Sequence, residues 1–455
     1  MKPTTLFLSL FSIYVSSVIG TSHLRPRSGF EHRRGTAPAQ CSGGRTANNA
    51  QCCVWYDVLD DIQANLFEGG QCGEDAHEAL RLSFHDAIGY SPALKASGQF
   101  PGGGADGSLI KFANTELGYD SNDGLDDIVS AEKKIADRHH VSYGDFIQFA
   151  AVVSVRNCAG GPLIPFLAGR PDATNAAPDG LVPEAFDSVT KILARVTDAG
   201  LTSDDLVDLL ASHSIGQQDT VDTSIPGTPF DTTPSVLDTN FYLETLLHGT
   251  VWPGNGAHQG EVQSPFKGEF RLQSDWALAR DSRTACRWQG YINDQPTMAT
   301  RFSAAMAKMA LLGQNANALT DCSDVIPAPT LSAPKVATMP QGKTVADLDW
   351  TKCPASTSTS TSNGAGSGTQ AGSGTGPWSG PSAGGSGKWP AGGSGTWPAG
   401  GSGSGTWPAP GSNSGPGPWS GSGAGPGSNW GTGPNGPTPN NMNLADIIAK
   451  LLHPN

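Results

Sequence analysis

Past Cys353 this chain loses the means to fold. Residues 357–362 are a Ser/Thr run, and the stretch after it is nearly all Gly, Ser, Pro and Ala, with tryptophans recurring from Trp378 to Trp430, several before Pro-Ala. A tract with so few aliphatic side chains cannot offset the entropy of ordering its backbone. Residues 354–440 are therefore expected to be a flexible tail, open to O-glycosylation. The sharper alternative is that its tryptophans stack on sugars or aromatic polymer and tether the chain there. Residues 441–455 hold a short amphipathic segment, with Leu444, Ile447, Ile448, Leu451 and Leu452 on one side, too short to be a stable helix alone.

The other end is equally constrained. Lys2 precedes an apolar run from Leu6 to Ile19 closed by Gly20, the length and flanks of a signal peptide over residues 1–20. His32-Arg33-Arg34 reads as a dibasic processing site, so residues 21–34 are expected to be a propeptide. That leaves 35–353 as one folding domain of roughly 300 residues, within range for a single core. All eight cysteines fall inside it. In a secreted chain they imply four disulfides, and spacing alone leaves about a hundred pairings open. No later apolar run could cross a bilayer, and a net charge of −13 argues against nucleic acid or an anionic membrane as partner. The expectation is a secreted, extracellular monomer without an Asn-X-Ser/Thr glycosylation site.

Apolar residues recur at helical spacing over Val54–Phe67, Ser142–Val155, Glu184–Val196, Ser203–Leu210, Val236–Leu247 and Met298–Leu312. Ser203 and Asp204 can cap the helix leading to His213, and Gly313 comes directly after the last run. Strand signals are scarce. The fold class expected is mainly α.

Two segments carry the chemistry. Arg81-Leu-Ser-Phe84-His85-Asp86 places Arg81 and His85 one helical turn apart on one face if the segment is helical. A neutral imidazole can take a proton from a peroxide while a guanidinium stabilises charge developing on its oxygens. Asp86 points off that face and, with Asp106, Ser108 and the backbone carbonyl at Gly104, offers an oxygen-only set suited to Ca²⁺. Downstream, His213-Ser214 ends an apolar run, and Asp231, Thr233, Val236 and Asp238 alternate oxygen ligands again.

The order and spacing of these motifs resemble those of the secreted fungal (class II) haem peroxidases of the plant–fungal–bacterial superfamily, over about Cys41–Cys322 and more weakly to Cys353. The resemblance implies a two-part helical fold with haem b between distal and proximal halves. His213 would be the axial ligand of the iron, and Asp275 would accept its N–H, making the imidazole a stronger donor. Arg81, Phe84 and His85 would form the distal pocket, with Asn122 orienting His85 and the Glu116 carboxylate linked to Asn122. Two structural Ca²⁺ sites would use Asp86, Gly104, Asp106 and Ser108, and Ser214, Asp231, Thr233, Val236 and Asp238. The disulfides would be Cys41–Cys53, Cys52–Cys322, Cys72–Cys158 and Cys286–Cys353. Hydrogen peroxide would be the oxidant.

The reducing substrate is a separate question. Glu74, Glu78, Arg81 and His85 fall on one narrow helical stripe, roughly 16 Å long. Asp219, six residues after His213, stands where manganese-oxidising members carry a third carboxylate. Three hard oxygen donors suit Mn²⁺ as a substrate, which as chelated Mn³⁺ would attack phenolic lignin. Gln217 departs from the arginine that some manganese peroxidases place there. The tryptophan of the ligninolytic and versatile branches, five residues before the axial histidine, is here Asp208, so direct oxidation of bulky aromatics by that route is not expected. The competing readings are a generic peroxidase oxidising small phenols at the haem edge, and a binding protein whose tail engages lignocellulose. His77 is expected to point away from the acidic stripe, and Trp276 to be buried packing.

Overall fold

The computed structural model describes residues 38–353 apart from 330–332, 334, 335 and 352. The expected signal peptide, propeptide, tail and C-terminal amphipathic segment lie outside the described residues.

The described chain is mainly helical. Its six strands have two residues each and pair antiparallel: Ala39–Gln40 with Thr46–Ala47, Leu167–Ala168 with Thr320–Asp321, and Gln217–Gln218 with Thr228–Pro229. The helix Tyr143–Asn157 is buried from Gly144 to Arg156, and Ser142 caps it by accepting from the Asp145 N–H. A helix apolar all round belongs at the centre of a core. Against it packs the helix Glu74–Ala87, which carries Arg81 and His85. Ala79, Leu82 and Ser83 share the face turned to the core, so the polar stripe of that helix is turned the other way.

The second half centres on Ser203–Leu209, which packs against Gln295–Met309. Its cap is Thr202 rather than Ser203 or Asp204: the Thr202 hydroxyl accepts from Asp205 N–H, and the Asp205 carboxylate accepts in turn from the Thr202 backbone N–H. The helix then tightens into a 3₁₀ turn over Leu210–Ile215, which presents His213. Two expected helices are shorter than their apolar patterns. Glu184–Val196 is helical only over Val189–Asp198, because Asp187 bonds back to Glu184 N–H and Ser188 takes the cap. Val236–Leu247 is helical only over Asn240–Glu244, because Leu237 N–H is taken by Ala159 and Asp238 N–H by Ser214.

All four expected disulfides form: Cys41–Cys53, Cys52–Cys322, Cys72–Cys158 and Cys286–Cys353. Cys52–Cys322 closes 270 residues, and in a chain-entropy account a loop of that size is restrained by about 5 kcal/mol in the unfolded state. Among the described residues no helix is long and apolar enough to cross a membrane.

Candidate active site

Between the two halves lies a cavity of about 430 Å³. Arg81, Phe84 and His85 line one side, and Leu209, His213 and Phe230 the other. The two histidines come from segments 128 residues apart in the chain, so only the fold brings them to one space.

On the distal side, His85 Nδ1 lies 2.9 Å from Asn122 Oδ1, and Asn122 Nδ2 donates to the Glu116 main-chain carbonyl at 2.9 Å. That second bond fixes which way the amide faces. Its oxygen can only accept, so Nδ1 carries the proton and Nε2 keeps a lone pair. Enclosure by protein, then the Arg81 charge, pull the His85 pKa down to about 3, with Asn122 opposing. The imidazole therefore stays neutral in acid, with the Nε2 lone pair free to accept a proton. Arg81 donates to the Asp123 carbonyl at 2.9 Å, which fixes the guanidinium on its stalk. The link expected between Asn122 and the Glu116 carboxylate is not the one made. Asn122 uses the Glu116 backbone, and the carboxylate instead accepts from Ser108 Oγ at 3.2 Å and Ala177 N–H at 2.9 Å.

On the proximal side, His213 Nδ1 donates to Asp275 Oδ2 at 2.9 Å, and Asp275 is 2% exposed. Its Nε2 is left as the lone pair. Phe230 and Phe241 flank the ring, with centroids 5.0 and 5.6 Å away.

The oxygen ligand sets also assemble. Asp86 accepts from Gly107 N–H at 3.0 Å, and Asp106 from Ser108 N–H at 3.2 Å. Burial first, offset in part by these bonds, pushes Asp86 up to about 6; burial and the Asp86 charge push Asp106 up to about 8. A buried Asp86 beside a half-buried Asp106 is a pair of oxygen donors that a divalent cation would suit. Gly104 has φ +112°, and a side chain there would run into the Leu312 carbonyl. In the second set Ser214 Oγ donates to the Val236 carbonyl at 2.9 Å, Thr233 Oγ1 reaches Asp238 at 3.2 Å, and Asp231 Oδ2 is buried without a partner among the described residues. Burial, then the Glu244 and Asp238 charges, raise Asp231 well above its ordinary value.

Glu74, Glu78 and Asp219 all line the same cavity. Burial first, then Glu74, Asp75 and Asp219 against Arg81, push Glu78 up to about 7. Asp219 is held by Gly227 N–H at 2.7 Å. His77 does not turn away: it lines the cavity beside them, with Nε2 3.6 Å from Cys72 Sγ. Trp276 is 40% exposed with Arg280 5.0 Å over its ring, not buried packing. Asp208 is buried and bonded bidentately by Arg287. The packing of Phe230 and Phe241 around His213, and the placing of Met306 and Met309 along the cavity, were not legible in the sequence, because those residues carry no motif.

A peroxidase family model matches residues 58–294, just over half of the chain, and a fungal peroxidase extension region comes next over 297–370. The chain belongs to the peroxidase family. Versatile peroxidase VPS1 of Pleurotus eryngii is 56% identical over 319 residues, covering 70% of this chain and 86% of that protein. A peroxidase of Arthromyces ramosus is 48% identical over 348 residues, 76% of this chain and 94% of that one. Ligninase LG6 of Phanerodontia chrysosporium is 51% identical over 314 residues, 68% and 84%.

This is a haem peroxidase, and its residues fit the cofactor. His213 offers one free imidazole nitrogen into a cavity of adequate size, with its other nitrogen committed to a carboxylate. Bound there, the haem would supply the iron at which peroxide is cleaved. With haem bound, His85 Nε2 would be the group to take the peroxide proton from one oxygen and return it to the other, and Arg81 would offer fixed positive charge to the oxygen that departs.

Proposed function

We propose that this is an extracellular peroxidase that uses hydrogen peroxide to oxidise Mn²⁺ to Mn³⁺, which then attacks phenolic lignin. His213 serves as the iron ligand, Asp275 as its N–H acceptor, His85 as acid and base, and Phe84 as a wall of the distal pocket. Asn122 and Glu116 act behind His85. Ca²⁺ occupies both oxygen sets. What carries the manganese reading is that Glu74, Glu78 and Asp219 share one cavity, close enough that burial and neighbouring charge push Glu78 up to about 7. Such a cluster repels itself until a hard cation enters. Secretion and contact between the tail and lignocellulose belong to the same reading.

The test is steady-state kinetics with Mn²⁺ and with a small phenol. Glu74→Gln, Glu78→Gln and Asp219→Asn should each cut kcat/KM for Mn²⁺ by about tenfold or more and leave the phenol nearly untouched. Equal Mn²⁺ turnover in all three would leave the stripe as an acidic surface. The second reading, oxidation of small phenols at the haem edge, would then lead. It is favoured by the likeness to the Arthromyces ramosus relative, which is named simply a peroxidase.

A further inference from the structure

Behind His213 the core holds a continuous run of aromatic rings that peroxide cleavage does not use. Phe241 lies 5.6 Å from the His213 ring, Trp288 5.2 Å from Phe241, Tyr242 5.1 Å from Trp288, and Tyr291 5.1 Å from Tyr242, all centroid to centroid. Phe241 is too hard to oxidise to hold a charge, but it bridges the ligand to three rings that can. Those three differ in where their proton can go. Trp288 Nε1 donates to the Tyr242 carbonyl at 3.0 Å, and the Tyr242 hydroxyl to the Val207 carbonyl at 2.7 Å. A peptide carbonyl is a very weak base, so an oxidised Trp288 or Tyr242 would keep its proton and its positive charge in an apolar core. The Tyr291 hydroxyl donates to Asp208 Oδ1. Arg287 grips that carboxylate at 2.8 and 2.6 Å. A tyrosine that has lost an electron is a strong acid, so passing its proton to a carboxylate is downhill.

We propose that Tyr291 is a hole sink: when no reducing substrate is at hand, an oxidising equivalent left on the haem by peroxide moves through Phe241, Trp288 and Tyr242 to Tyr291. Tyr291 loses one electron, which the oxidised haem gains, and its hydroxyl proton passes to Asp208. The products are a neutral tyrosyl radical and a protonated Asp208 beside Arg287. Burial and the Asp208 charge hold the resting phenol well above its ordinary pKa, so a proton is present to transfer. Tyr291 is 1% exposed, so the radical is shielded from bulky donors. It stores the equivalent away from the haem rather than passing it to substrate. The inference rests on His213 being the iron ligand.

The experiment is freeze-quench EPR on the full haem-loaded protein, mixed with one equivalent of hydrogen peroxide and no donor, with a visible spectrum of the same sample. A neutral tyrosyl signal is expected, narrowed when ring-deuterated tyrosine is incorporated and lost in Tyr291→Phe. Asp208→Asn, which keeps an acceptor but not a base, should weaken it. Tyr242→Phe, which spares Asp208, should delay it. In excess Mn²⁺ the Tyr291→Phe turnover should match the parent, while peroxide alone should inactivate the variant faster. A tyrosyl signal that persists in Tyr291→Phe overturns the assignment, as does haem that reacts with peroxide and yields no tyrosyl radical. Haem that fails to react with peroxide would bring down the reading of His85 and His213 first, and this inference with it.

Discussion

The two halves of the cavity hold the same side chain in opposite company. His85 gives its Nδ1 proton to a neutral amide, Asn122, whose orientation is pinned by a backbone carbonyl. His213 gives its own to a buried carboxylate, Asp275. A neutral partner fixes the tautomer without making the ring much more basic, so enclosure and Arg81 still hold His85 down at about 3. An anionic partner adds electron density to the ring and makes the other nitrogen a stronger ligand. In the proposed scheme one residue type thus serves as a proton shuttle on one side and a metal donor on the other, and the hydrogen-bond partner of each ring decides which.

Removing the distal base should have the largest effect. His85→Ala keeps haem in the proposed scheme but should slow its reaction with peroxide by roughly a hundred- to ten-thousandfold, because acid and base roles vanish together. Stopped-flow traces like the parent's would assign proton transfer elsewhere.

Asp275→Asn makes the proximal pair resemble the distal one. Loss of the anion should raise the reduction potential of the iron and slow peroxide cleavage by about ten- to a hundredfold. Spectroelectrochemistry and stopped flow on one preparation would check both, and a potential that does not move would show that the carboxylate only positions the ring.

In the proposed scheme calcium depletion should act on both halves, since Asp86 adjoins His85 and Ser214 adjoins His213. Chelation should convert the iron to a low-spin state, with activity falling and returning on adding Ca²⁺. Full activity after depletion verified by elemental analysis would reduce the oxygen sets to turn residues.

Asn122→Asp is the reverse swap, and should cost least at neutral pH. In the parent the peroxide reaction should stay flat with falling pH until His85 protonates at about 3, because only the neutral ring is a base. An anion at Asn122 favours the imidazolium, so the folded pKa rises and the acid limb should move up by about one to three pH units. A limb that stays in place would mean another group sets the low-pH loss.

Much of the site was legible because the chemistry is written in short spans. Arg81 and His85 share a helical face by spacing alone, and the family resemblance supplied His213, Asp275 and all four disulfides. What it could not supply was the direction of single hydrogen bonds. Asn122 reaches the Glu116 backbone rather than its carboxylate, and Thr202 rather than Ser203 takes the cap, because each choice depends on sub-ångström placement of competing acceptors. His77 and Trp276 were misplaced for a related reason. Helical phase says which way a side chain leaves the axis, not whether a cavity or solvent waits there.

The sequence by itself determined the helical class and the residue types of the reaction, since those depend on composition, period and local spacing. Only the tertiary structure decided how far Glu78 is pushed towards neutrality, which rings connect His213 to Tyr291, and that Asp208 meets Arg287 and Tyr291 rather than water. These depend on groups far apart in the chain and on the water that packing removes between them, and no local window contains either.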